Sequence, residues 1–119
     1  MIDVSDLIGA PYKDGGRSKE EGFDCYGLAI EVCRRMGKVL PDLAYDDHSV
    51  ELSCQYLPTL PLIPTDKASE GVILEMTILQ ELHIGVCLDK RYFIHATRNQ
   101  GVRISKIGTV KIRGIYTWV

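Results

Sequence analysis

Cys25, His83 and His95 are the residues of this 119-residue chain whose types and spacing suit nucleophilic catalysis. Cys25 lies in Gly22-Phe23-Asp24-Cys25-Tyr26-Gly27, a segment that opens an amphipathic run. In the first turn of a helix, backbone N–H groups without helical partners and the positive end of the dipole favour a thiolate. The thiol pKa, ordinarily about 8.5, is expected to fall there and to fall further beside an imidazolium. A nearby imidazole completes the minimum for covalent catalysis, since it can take the thiol proton and later give it to a leaving amine. His83 is expected in that role. His95 is expected to hydrogen-bond the far nitrogen of His83 and so fix its tautomer and orientation. The first N–H groups of the helix would stabilise a tetrahedral oxyanion.

This arrangement depends on parity. On a strand over Leu82–Leu88, residues 83, 85 and 87 share one face and the aliphatic Leu82, Ile84, Val86 and Leu88 share the other. His95 belongs to the next strand, across a turn at Asp89-Lys90-Arg91. A three-residue loop pairs Leu88 with Tyr92 and sets Gly85 opposite His95. His83 and His95 then project from one face as diagonal neighbours, roughly 7 Å apart at Cα. A two-residue loop would put them on opposite faces.

The elements that must hold these residues are legible in outline. Asp24 is a good N-cap for a helix to about Met36, with Cys25, Ala29, Val32, Cys33 and Met36 on one buried face and a Glu31–Arg35 pair on the wet side. Gly37 ends it. A short helix or turn is expected within residues 3–10, capped by Asp3 or Ser5, and a second helix from Asp47 to Leu57, stopped at Pro58. Residues 11–16 read as a loop, and Pro58 to Glu70 as an extended connector. From Gly71 onward, Val72–Ile78, Leu82–Leu88, Tyr92–Thr97, Val102–Ser105 and Thr109–Val119 read as strands. Helices followed by an antiparallel meander predict an α+β fold in one domain, residues 1–119.

A net charge of −2 and scattered basic residues argue against a nucleic-acid partner and against a membrane-surface role. No apolar run is long enough to span a bilayer. The acidic N-terminus lacks the basic and apolar regions of a signal peptide, so cytoplasmic synthesis is expected. The cysteines at 25, 33, 54 and 87 form no C-x-x-C pair, so neither a metal site nor any cofactor is expected. Cys33, Cys54 and Cys87 read as free core thiols and His48 as a surface histidine.

Four segments resemble, in order and spacing, the NlpC/P60 cysteine peptidases: Tyr12-Lys13-Asp14-Gly15-Gly16, Gly22-Phe23-Asp24-Cys25-Tyr26-Gly27-Leu28, His83-Ile84-Gly85-Val86 and Phe93-Ile94-His95-Ala96-Thr97. The resemblance spans roughly Leu7 to Ser105. It implies a papain-like α+β fold, with N-terminal helices packed on a C-terminal antiparallel sheet. The implied activity is hydrolysis of bacterial cell-wall stem peptides, typically between γ-D-glutamyl and a diamino acid. Cys25 would be the nucleophile, His83 the base and His95 the orienting residue. Tyr12 would line the site near the oxyanion, and Asp24 would hold the free amine of the stem peptide.

The chain departs from the family pattern in two segments. Tyr26 stands in the substrate region where many relatives have serine, and Glu70-Gly71-Val72-Ile73-Leu74 replaces a Gly-Asp-aliphatic signature. The aromatic after the cysteine and the bare catalytic domain look more like the phage-tail-associated branch. The enzyme would then reach the wall as part of a particle, with phage tail proteins as partners. Two other functions remain open: a tail assembly component with a vestigial site, and an acyltransferase or amidase acting on another substrate.

Overall fold

Alternating apolar residues in the C-terminal half pair into a six-stranded antiparallel sheet, and the Cys25 helix lies across one face of it. The computed structural model describes residues 2–42, 57–79 and 81–119. In chain order these form β1 (Arg17–Ser18), β2 (Gly22–Phe23), α1 (Cys25–Arg35), β3 (Leu62–Pro64), β4 (Ile73–Ile78), β5 (Glu81–Cys87), β6 (Tyr92–Thr97), β7 (Gly101–Lys106) and β8 (Lys111–Trp118). Strands β1 and β2 make a small hairpin, while the large sheet runs β3-β8-β4-β5-β6-β7.

The α+β class holds, but the expected set of N-terminal helices does not. Among the described residues α1 is the one α-helix, and Ser5–Leu7 forms a single 3-10 turn. Asp3 Oδ1 accepts from both the N–H and the hydroxyl of Ser5, a local bond that competes with helix propagation. Gly9 N–H and Val102 O then join at 2.9 Å, which diverts the chain along β7. Of the helix expected over residues 47–57, only Leu57 is described, in a 3-10 turn at Leu57–Thr59. Residues 43–56, with His48 and Cys54, lie outside the described residues.

Helix α1 begins and ends as its sequence requires. The Asp24 carboxylate accepts from Gly27 N–H at 2.6 Å, which supplies the cap. Lys38 N–H and Gly37 N–H donate to the carbonyls of Cys33 and Arg34 at the other end. Leu28, Val32 and Cys33 are fully buried against Ile84, Val86, Ile94, Ala96 and Val102. Burial of an aliphatic side chain of this size contributes roughly 1.5–3 kcal/mol. Glu31 pairs with Arg35 at 2.8 Å on the outer side, as the i,i+4 spacing suggests.

Two pairings were not legible as strands. The β1–β2 hairpin sits inside the segment leading to Asp24, and β3, read as connector, adds an edge strand to β8. Pro64 is tolerated there because an edge strand does not need every N–H. Where β8 passes β4 the register shifts between Glu75 and Met76. The nearby Arg113 Nε donates to the buried Glu75 carboxylate at 3.3 Å.

Candidate active site

Strand β5 is joined to its two neighbours unequally. Six residue pairs link it to β4, from Ile73–Val86 to Ile78–Glu81. To β6 it is joined at Val86–Ile94 and Cys87–Phe93, with Leu88 N–H donating to Tyr92 O at 2.8 Å. This is the register of the three-residue loop, and continuing it one step sets Gly85 opposite His95. Below that point the strands part, and His83, Cys25 and Tyr12 come to line one cavity of about 190 Å³ with Leu82, Ala96, Thr97, Arg98 and Asn99.

His83 and His95 lie on the same face of the sheet. His83 Nε2 and His95 Nδ1 are 2.8 Å apart, with their rings edge-on at 81°. His95 Nε2 in turn lies 2.8 Å from Ser105 Oγ. Ser105 pairs with Phe93 across β6 and β7, which makes it the diagonal neighbour of His95. Burial and the Arg103 charge lower the His95 pKa to about 4, so its imidazole is neutral at physiological pH. Phe93 packs its ring 4.7 Å from that of His95. Gly85 is what admits this ring: a Cβ there would stand 2.8 Å from Phe93 Cδ2 and 2.9 Å from Met76 Cε.

Cys25 occupies the first turn of α1 as expected, yet its ionisation runs against the simple helix-terminus expectation. Only 2% of Cys25 is exposed, and burial pushes its thiol up to about 12. The nearby Asp24 charge adds to the rise, while backbone N–H groups of Ile84, Tyr26 and Cys25 itself oppose it. Desolvation therefore outweighs the helix N-terminus, and the resting sulfur carries its proton. In a continued β5–β6 ladder the Ile84 N–H would serve Ala96; where the strands part, it serves the sulfur.

The loop before α1 is locked onto its first turn. Gly16 O approaches so closely that a Cβ on Gly27 would stand 2.0 Å from it. Arg17 Nη1 donates to Gly16 O and to Asp24 Oδ1, both at 2.9 Å, and Arg17 Nε donates to Asp42 Oδ1. Gly15 N–H donates to Asp24 Oδ2 at 3.2 Å. Both oxygens of the buried Asp24 are thus engaged by the protein itself, and Asp24 is not among the residues lining the cavity.

Tyr26 is also buried and outside the cavity lining. Its hydroxyl donates to Pro41 O and ties the chain beyond α1 to the start of the helix. Tyr12 does line the cavity. Its hydroxyl donates to Asp14 Oδ1 at 3.2 Å, and its pKa is raised by burial and by proximity to Cys25. The structure thus gathers Cys25, His83 and Tyr12 at the cavity with His95 behind His83, and gives Asp24 and Tyr26 structural contacts.

Four contributors were not picked out from sequence: Ser105, Arg98, Arg17 and the Ile84 backbone. The β6–β7 register would have revealed Ser105, since Thr97 pairs with Gly101 across a three-residue loop. No local signal marks the others.

Comparison with known proteins agrees with the fold. The NlpC/P60 family model matches residues 9–117. A solved structure from Staphylococcus aureus subsp. aureus Mu50, titled as similar to a lipoprotein of the NLP/P60 family, superposes with a TM-score of 0.65 at 23% identity. The match covers 95% of this chain and 38% of that one, so the present chain spans well under half of the staphylococcal protein's length. At that identity the likeness bears on fold alone. The search of curated proteins returned no match. With the family model matching nearly the whole chain, the chain belongs to the NlpC/P60 family.

Proposed function

We propose that the protein is a cysteine peptidase that hydrolyses peptidoglycan stem peptides between γ-D-glutamyl and a diamino acid, with Cys25 as nucleophile, His83 as base and His95 as the residue that orients it. Family membership supports a cell-wall peptidase-type function in general, and the family is generally one of cysteine peptidases. The observation that carries the finer reading is the 2.8 Å contact between His83 Nε2 and His95 Nδ1 behind a cavity that His83 shares with Cys25.

Proton placement follows from that contact. For His83 to take a proton through Nδ1, its resting proton must be on Nε2, donated to His95 Nδ1. Neutral His95 then carries its own proton on Nε2 and donates it to Ser105 Oγ. Ser105 is thus a positioning residue for the whole chain of imidazoles. As the Cys25 sulfur attacks the scissile carbonyl carbon, its proton passes to His83. The carbonyl oxygen becomes an oxyanion near the start of α1, where backbone N–H groups favour negative charge. His83 returns the proton to the departing amine, leaving a thioester on Cys25. Water, deprotonated by His83, attacks the thioester carbon; the carbon–sulfur bond breaks, the sulfur takes that proton back from His83, and the γ-glutamyl acid is released.

Asp24, expected to hold the free amine of the stem peptide, is bonded to Arg17, Gly15 and Gly27 and lies outside the cavity lining, so the mechanism gives it no step. Incubation with defined muropeptides, followed by mass spectrometry, tests the activity. Release of the diamino-acid fragment is expected. Absence of cleavage across α-linked and γ-linked peptides would favour an assembly component with a vestigial site. Products that incorporate an added amine in place of water would favour acyl transfer.

A further inference from the structure

Among the described residues, Arg98 is the one permanently cationic side chain lining the Cys25–His83 cavity. It follows directly on β6, and its guanidinium lies 5.1 Å above the centroid of the Tyr12 ring. Its charge is shared between two carboxylates from separate segments: Asp14, in the loop before β1, with contacts of 3.1 and 3.3 Å, and Glu81, at the start of β5, at 3.3 Å. These bonds are exposed ones. The side chains of Arg98, Asp14 and Glu81 are 47%, 69% and 54% accessible. Ion pairs of that kind contribute little, because both partners are well solvated apart. The stack on Tyr12 is the more fixed contact, and it keeps the planar fork at the opening while its carboxylate partners can exchange.

A peptide bond made through the γ-carboxyl of glutamate leaves the α-carboxylate free, close to the scissile carbonyl. We propose that Arg98 is the specificity-determining residue of this cavity: its guanidinium takes that free carboxylate in place of Glu81, so that the acid form of the stem peptide is preferred over the form in which the same group is amidated. The assignment rests on the hydrolase reading above. The fork supplies two parallel N–H donors, a match for a carboxylate that a neutral carboxamide cannot reproduce. A charge-assisted pair formed at a partly shielded site corresponds to about a 10- to 100-fold preference in kcat/KM.

The test uses two peptides, L-Ala-γ-D-Glu-L-Lys and its isoglutamine counterpart L-Ala-γ-D-isoGln-L-Lys, with the wild type and Arg98→Gln. The expected result is an acid-over-amide preference of about 10- to 100-fold in the wild type that falls to within about threefold of unity in the variant. The loss should appear mainly in KM for the acid peptide, since the contact is made in the ground state as well as the transition state. Arg98→Met, which keeps the aliphatic stem over Tyr12, repeats the measurement should thermal melting show that Arg98→Gln has lost its fold. An equal ratio in wild type and variant, or no preference in the wild type, would overturn the role of Arg98 and leave the hydrolase intact. Cleavage of neither peptide by the wild type would overturn the hydrolase reading and the Arg98 assignment with it.

Discussion

The two ends of β5 differ in kind. Toward Cys87 the strand is bonded on both sides, its Val86 sits in the core beneath α1, and Cys87 packs with Leu74, Met76 and Phe93 on the far face. Toward Glu81 it is bonded to β4 and parts from β6, and there His83, the Ile84 N–H and the cavity are found. The closed end contributes stability through apolar burial. The open end gives up ladder hydrogen bonds, and the backbone groups and faces so released reach a side chain from the helix side. The Cys25 side chain from one face of the sheet and His83 from the other reach one cavity because the sheet is parted between them.

Substitutions at the two ends should separate these roles. The largest effect belongs to His83→Ala, which should lower kcat/KM on a γ-D-Glu-containing peptide by at least about 10³-fold while the fold persists. Persistence of turnover would break the contrast between the ends. Next is a pH effect. The His95 pKa falls from its usual value to about 4 on folding, so the unfolded chain binds more protons as pH drops. Stability is therefore complete above about pH 6.5 and is lost as pH falls through 4, by on the order of 3 kcal/mol from this group. Urea melts from pH 7 to 4 should show the loss, and His95→Gln should flatten it.

Gly85→Ala, at the boundary, should cost about 1–3 kcal/mol in thermal melts and lower kcat as well, because Phe93 and with it His95 must move. Cys87→Ala at the bonded end should cost about 1 kcal/mol and leave turnover intact. The smallest effect is that of Ser105→Ala, roughly a fivefold drop in kcat with a changed pH–rate profile, restored by Ser105→Thr. A fall in KM alone, or no recovery with Thr, would mean that the serine merely packs.

Much of this site was legible before the structure, and for a physical reason. Local signals such as the Asp24 cap, the parity of His83 and His95 and the turn at Asp89 each rest on a few neighbouring residues, and all three hold. What was missed is non-local. Arg17 reaches Asp24 through a hairpin of two-residue strands too short to show a period, and Ser105 meets His95 through a register two strands away. The expected thiolate failed on magnitude: periodicity puts Cys25 on the buried face, and desolvation there outweighs the pull of the helix terminus. Tyr26, expected in the substrate region from the family pattern, donates its hydroxyl to Pro41 O, a contact that no local signal marks.

The most direct test is turnover of one γ-D-glutamyl stem peptide by the wild type and by Cys25→Ala, with the released diamino-acid fragment quantified by mass spectrometry. If Cys25 at the open end of β5 is the nucleophile, the wild type yields the fragment and the variant yields none above background. An equal yield from both proteins would contradict it.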